Sequence, residues 1–345
     1  MDDLTDDDVR TFTGALVGAL TVGGTHPLNE TQEELIDAVV HGVFGKPFRW
    51  SDIELVTPAD AAAAFPDEVM RSRMVQMMVT FELVLHPLPQ DVEQSVAHYA
   101  SALAVDEPMI AVARQYANEH MALMYADIQR HSWYTQEMAR ESRHGRLWEL
   151  LRSKIAYTGI VPDHRIEKHW AALGELPKNT WGRQVYEFYG EHGFPLPGSR
   201  HGIGEVSARH DWVHVLTDYP PTPEGEIDVF TFIAAAMDDP RGFSLLVTTL
   251  ALFQDYSIRH VALKRIAIAR SDTLADPGAP ERFADAMYRG LHCTVDPMQI
   301  DQFAYAARDL DELRAEWNIP PKSDGGPSDN QFDPEEHPFK SSHHI

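Results

Sequence analysis

"DEVMRSRMVQMMVTFELVLH", residues 67–86, decides the fold class. Met70, Met74, Met77, Met78 and Phe81 recur at steps of three and four, the period at which one face of an α-helix repeats. The alternation of a half-buried strand is missing here, and no convincing run of it between turn signals occurs elsewhere in the chain. The expectation is an all-α protein. Methionine is unbranched and fills irregular gaps, so this stripe reads as core rather than as a cofactor box.

The same period extends outward. Val9, Phe12, Leu16 and Leu20 predict a first helix over 9–24, and "NETQEELIDAVVHGVFG" (29–45) offers Asn29 as an N-cap and Gly45 as a stop. "MIAVARQYANEHMALMYADIQRH" (109–131) reads as one long helical run leading into "SWYTQEMARESRHGRLWELLRSK" (132–154). Pro162, Pro177, Pro195 and Pro197 then cut the chain into short helices. "HPLNETQE" (26–33) and "HPLPQDVE" (86–93) form a weak repeat, each between two helical patterns, which predicts a duplicated helix pair. This arrangement resembles the TerB-like helical domains. That family usually has an acidic residue and a glycine in these turns, where Thr25-His26 and Leu85-His86 stand here. Only the helical fold is carried over.

A chain of 345 residues, 43% hydrophobic, is long enough for two domains with cores of their own. The expected division is a helical domain over 1–135, a second over 140–321 and a disordered, proline- and serine-rich tail over 322–345, the boundary lying near the polar cluster Ser142–Gly145. A formal charge of −24 repels phosphate backbones, so no nucleic-acid partner is expected. The one cysteine, Cys293, allows neither an internal disulfide nor a thiolate cluster, so a metal would be held by histidine and carboxylate. "MDDLTDDDVR" starts no signal segment, and "GFSLLVTTLALF" (242–253) falls short of the roughly 20 residues a membrane helix needs. A cytoplasmic protein is expected. Peripheral membrane contact could run through "IRHVALKRIAIAR" (258–270), with Arg259, Lys264, Arg265 and Arg270, although a solvated helix face explains them equally well.

"ARHDWVHVLTDYPPTPEGE" (208–226) carries the chemistry. Residues four apart share a helix face, so His210 and His214 can present both imidazoles to one ion, with Asp211 at the edge of that face as ligand or orienting acceptor. Pro220, Pro221 and Pro223 force a turn, and Glu226 falls in the first turn of the next helix, facing back. The pattern His-Asp-x-x-His is expected about 0.08 times in a shuffled chain of this composition. The plain alternative is a helix whose histidines are satisfied by hydrogen bonds or solvent. Arg209 could meet an anionic head group or make an ordinary surface pair. Cys293 beside His292 reads as an unreactive buried thiol.

His-Asp-x-x-His-x11-Glu resembles the signature of the coenzyme Q (ubiquinone) biosynthesis protein family associated with decarboxylating ring carbon 1 of a prenylated hydroxybenzoate. "NTWGRQVYEFYGEHGFPLPG" (179–198) looks like that family's Leu-Gly-x-x-Tyr helix, and "DLDELRAEWNIPP" (309–321) like its closing helix, so the resemblance spans roughly 145–321. It implies metal ligands at His210, Asp211, His214 and Glu226, which would also be the catalytic residues. The ion would be divalent, zinc first, with iron or manganese as alternatives, and because two histidines with a carboxylate also resemble oxygen-using iron sites, an oxidative decarboxylation that replaces the carboxyl by hydroxyl stays open. It implies a prenylated aromatic or isoprenoid lipid as partner, with biosynthetic partner proteins and a homo-oligomer as further expectations. Asp218 stands where the family commonly has glycine, and the typical member lacks the N-terminal 130 or so residues. A prenyl tail would need an apolar groove, for which Phe230, Phe232, Leu246 and Phe253 are candidates, simple core packing being the alternative for most of them. The competing expectation is a non-catalytic lipid-binding scaffold with a structural metal. A metal-dependent hydrolase fits less well, since no base is evident beyond the four ligands.

Overall fold

Helix-forming periodicity, N-caps and proline breaks produce helices and no strand among the residues described by the computed structural model, which are 4–46, 49–143, 157–158, 161–237, 239–254 and 272–323. The protein is all-α. Thr180 and Asp309 form one isolated antiparallel bridge. Residues 258–270, and the expected tail from residue 324 on, lie outside the described residues.

The chain divides into two compact units, each discontinuous in sequence. One runs to His131 and takes in Phe243–Tyr288; the other is built from Ser132–Gly242 and Arg289–Lys322. The first unit contains α1 (Asp6–Leu20), α2 (Glu30–Gly42), α3 (Pro58–Ala64), α4 (Glu68–Glu82), α5 (Gln90–Ala102), α6 (Met109–Ala117) and α7 (Met121–His131). The very apolar helix Phe243–Phe253 contacts α6 and α7, which is why this segment clusters with the first unit.

On α4 the stripe faces inward as its period demands: Met74, Met77, Met78 and Phe81 are buried. Asn29 caps α2 by accepting from the Gln32 amide while the Gln32 side chain accepts from the Asn29 amide, a reciprocal capping box. Two expected boundaries shift for backbone reasons. α1 stops at Leu20, since Val22, Gly23 and Gly24 all turn left-handed (φ 52°, 65° and 90°). The run 109–131 is two helices, broken where Glu119 takes φ 58°. The two His-Pro-Leu turns join α1 to α2 and α4 to α5, and His26 Nε2 of the first lies 2.5 Å from Asp91 Oδ2 beyond the second. Their glutamates differ in fate: Glu33 is exposed, whereas Glu93 is buried and paired with Arg114 at 3.1 Å.

The second unit holds α8 (Trp133–Glu141), α9 (His164–Ala171), α10 (Trp181–Glu191), α11 (Glu205–Thr217), α12 (Pro223–Ala236) and a closing helix, Leu310–Glu316. Three fully buried indoles set the rotation of α11. Trp212 meets Trp181 edge-on at 5.0 Å and Trp170 at 5.8 Å, and Trp181 Nε1 donates to the Trp212 carbonyl at 3.0 Å. Burying Trp212 on the side of α9 and α10 turns His210 and His214 toward α12. Among the described residues no helix is long and apolar enough to cross a membrane.

Candidate metal centre

The last carbonyls of a helix have no partner within it. At the end of α11 three cations supply them. Arg314 donates to Val215 O (3.0 Å) and Leu216 O (2.9 Å), Arg289 to Thr217 O (2.9 Å), and Lys322 to Asp218 O (2.8 Å). Positive charge at this pole also complements the helix dipole. Arg289 and Lys322 further sit over the Tyr219 ring, at 5.1 and 5.3 Å from its centroid. Asp218 adopts the left-handed conformation (φ 62°, ψ 40°), the geometry that favours glycine and that aspartate tolerates, so it closes the helix in glycine's stead.

From there the chain turns back through Tyr219–Thr222. Thr222 caps α12 by accepting from the Gly225 amide at 3.2 Å, and Pro223 opens the helix, so Glu226 stands in its first turn. The turn is tight enough that a Cβ on Gly225 would lie 1.9 Å from the Pro220 carbonyl oxygen. This close approach brings Glu226 home to the histidine pair.

His210, His214 and Glu226 each bring one donor atom to within 4.8 Å of the others. His214 Nε2 is 3.3 Å from Glu226 Oε1, and His210 Nε2 is 4.0 Å from Glu226 Oε2. Asp211, the fourth expected ligand, lies at the edge of this group: its Oδ1 is 3.2 Å from His210 Nε2, and Tyr189 donates its hydroxyl to the other oxygen, Oδ2.

The tautomers follow from the other ring nitrogens. His210 Nδ1 faces the Ser207 carbonyl at 2.5 Å and His214 Nδ1 the Tyr219 carbonyl at 3.0 Å. A carbonyl only accepts, so each Nδ1 carries a proton, which leaves Nε2 of each ring facing the Glu226 carboxylate. His214 Nε2 is buried and makes no hydrogen bond, its approach to Glu226 having ion-pair distance without hydrogen-bond direction. Oxygen and nitrogen ligands about 2.0–2.2 Å from one zinc ion stand roughly 3–4 Å apart, and Glu226 meets the two imidazoles at such distances, 3.3 and 4.0 Å. The donor set fits a divalent cation.

The electrostatics point the same way. Burial would push the Glu226 pKa up, but His214 and His210 outweigh it and leave this carboxyl below its ordinary value, hence ionised. Burial works to lower the His214 pKa, yet Glu226, Asp211 and the Tyr219 carbonyl leave it raised. For Asp211 burial prevails and raises the pKa, against His210, Tyr189 and His214. Two acids and two imidazoles thus share a site in which added positive charge is favoured. His192 is the opposite case: burial and the neighbouring His214 drive its pKa down to about 4, so it stays neutral.

Aromatic walls hold both ligand rings. Phe188 stacks on His214 (5.7 Å, 20°) and Phe230 on His210 (5.3 Å, 22°). Of the four groove candidates, Phe230 therefore borders the centre. Phe232 is fully buried in the second unit, and Leu246 and Phe253 are buried in the helix that clusters with the first. Arg209 is held by Glu141 (2.6 Å) and Glu137 (3.4 Å) and lies over Trp133, so it tethers α8 to α11. Cys293 donates to Val295 O at 3.3 Å, and burial raises its thiol pKa.

Sequence reasoning missed Tyr189 and the capping trio Arg289, Arg314 and Lys322. Tyr189 lies on a helix that meets α11 only in the folded chain, and the trio gives no motif. A basic residue near a closing helix was the only available signal. Compared with protein-family models and with curated proteins, the chain matches none.

Proposed function

We propose that the second unit is a metal-dependent decarboxylase acting on an aromatic acid of the prenylated hydroxybenzoate class, in quinone biosynthesis. The observation that carries this reading is the convergence of two imidazole Nε2 atoms and the Glu226 carboxylate, each imidazole being fixed by a carbonyl at its Nδ1. A divalent cation held by His210, His214 and Glu226, with Asp211 at its edge, would supply a Lewis acid that grips an anionic substrate oxygen and steadies the charge that builds as carbon dioxide leaves.

The chain's own residues prepare that event. Ser207 and Tyr219 set the ring tautomers, Tyr189 orients Asp211, and Phe188 and Phe230 keep water from the outer faces of the imidazoles. Two histidines with one or two carboxylates leave coordination positions for substrate, unlike a closed structural site. The bond between ring and carboxyl breaks, the electron pair stays on the ring carbon, and a proton takes the vacated place.

The test is elemental analysis of the purified full chain, followed by carbon dioxide release from a prenylated 4-hydroxybenzoate before and after chelation. His210→Ala and His214→Ala are expected to lose both metal and turnover while keeping helical circular dichroism. Stoichiometric metal in both variants refutes the centre. Lipid binding that survives chelation, with no turnover in the loaded protein, favours a scaffold instead. Product analysis separates replacement of carboxyl by hydrogen from replacement by hydroxyl.

A further inference from the structure

Asp211 is the one expected ligand that the fold holds apart from the others. The donor atoms lying within 4.8 Å of one another come from His210, His214 and Glu226. Of the two imidazoles Asp211 reaches ion-pair range of His210 alone, its Oδ1 standing 3.2 Å from His210 Nε2. Successive residues on a helix point about 100° apart, so Asp211 leaves the face that His210 and His214 share. Its Oδ2 accepts the Tyr189 hydroxyl from α10, whereas Glu226 stands on α12. Tyr189 is itself held, its ring 5.5 Å from Trp170 and edge-on to Phe194 at 6.1 Å. The carboxylate cannot swing toward Glu226 without giving up that hydrogen bond, and a buried phenol deprived of its acceptor is costly.

The edge where Asp211 stands is also where the centre opens. The His214 side chain is fully buried, whereas those of His210 and Glu226 keep 17% and 15% of their surface exposed and that of Asp211 keeps 7%. The centre is closed behind His214 and accessible beside His210, next to Asp211 Oδ1. A hydroxyl entering there finds an acceptor; an anion without one finds only like charge.

We infer that Asp211 lies outside the coordination sphere and accepts a hydrogen bond from a hydroxyl of the molecule that enters on this open side, so that the centre takes hydroxy acids in preference to acids without a hydroxyl. This assignment rests on the cation site of the proposed function and not on decarboxylation itself. A site with a fixed acceptor rejects a ligand that lacks the matching O–H, because the acceptor is then left unpaired. Cation and carboxylate together hold the acid at two points, which sets its orientation as well as its position.

The experiment uses the zinc-loaded full chain, with glycolate and acetate as probes that differ by one hydroxyl, in calorimetric titrations of wild type, Asp211→Asn and Tyr189→Phe. In Asp211→Asn the amide oxygen takes the Tyr189 hydroxyl and the NH2 group, a donor, is left facing the ligand. The preference for glycolate over acetate should therefore be about tenfold greater in wild type than in this variant, the effect of one hydrogen bond to a charged group. Chelation of zinc by the glycolate hydroxyl is common to both proteins and cancels in that comparison. Asp211→Asn should still hold one zinc by elemental analysis, whereas Glu226→Gln, which removes a ligand, should not. Loss of zinc from Asp211→Asn to the extent seen in Glu226→Gln makes Asp211 a ligand and overturns the inference. Zinc-loaded wild type that binds neither acid, or a preference unchanged in Asp211→Asn, also overturns it, with the cation site untouched. Should Asp211→Asn fail to fold, Tyr189→Phe carries the test: it keeps Asp211 and zinc but frees the carboxylate, so the preference should fall, and an unchanged preference refutes the role. If wild type holds no zinc, the cation site falls and this assignment with it.

Discussion

Replacing Gly225 by alanine sets two physical expectations against each other. Gly225 lies in the first turn of α12 and its φ is outside the left-handed region, so backbone propensity alone favours alanine by about 0.4–1 kcal/mol. The added Cβ, however, would lie 1.9 Å from Pro220 O and 2.9 Å from Pro220 C. Ordinary contact needs roughly 3 Å or more, so the turn and the start of α12 must separate by about 1 Å. Forced separation of a tight contact costs about 1–3 kcal/mol, which outweighs the propensity gain. Glu226 is the next residue, and ligand distances tolerate only about 0.2 Å. The expected outcome is a modest net loss of stability with a fall in zinc affinity of about tenfold or more. Urea unfolding followed by circular dichroism measures the first, and competition with a chromophoric chelator the second. A variant more stable than wild type with unchanged zinc affinity would refute the claim that the Pro220–Gly225 approach delivers Glu226.

Arg314→Leu removes both donors to Val215 O and Leu216 O and is expected to cost about 1–2 kcal/mol in chemical denaturation, the side chain being partly exposed. Zinc affinity should weaken as pH falls, because Glu226 and Asp211 hold the His214 proton above the ordinary histidine range and that proton competes with the ion; a pH-independent titration would contradict the assignment. Chelation should lower the melting temperature, since a metal present at about 100 times its Kd stabilises the folded state by about 2.7 kcal/mol. Glu82 in the first unit is fully buried with neither oxygen hydrogen-bonded, and burial, then the Glu93 charge, raise its pKa well above 4.5. Its folded form therefore holds a proton that the unfolded chain loses, so its contribution declines as pH rises through that window. Glu82→Met should add on the order of 1 kcal/mol at about pH 8 and almost nothing at about pH 4, measured by denaturant titration at both.

Periodicity is a local property, so the all-α class could be read from residues 67–86 and the facing of His210 and His214 from their separation by one helical turn. Caps are equally local, as at Asn29. Boundaries were less legible where a single residue turns left-handed, as Glu119 does within 109–131, because glutamate gives no sign of it. The placement of 243–253 was not legible at all. An apolar helix carries no address, and which core it joins depends on the shapes available after folding.

The candidate site divides along the same line. Four residues at fixed spacing announced a possible cation, and three proline residues announced a turn. Their convergence needed more than spacing: Asp218 in a left-handed cap, the Pro220–Gly225 approach, and three indoles that set the rotation of α11. The same holds for Arg314, 98 positions beyond the carbonyl it satisfies. Local order follows from neighbours along the chain, whereas a binding centre is a meeting of distant segments, and its energy belongs to contacts that exist only once the core has closed.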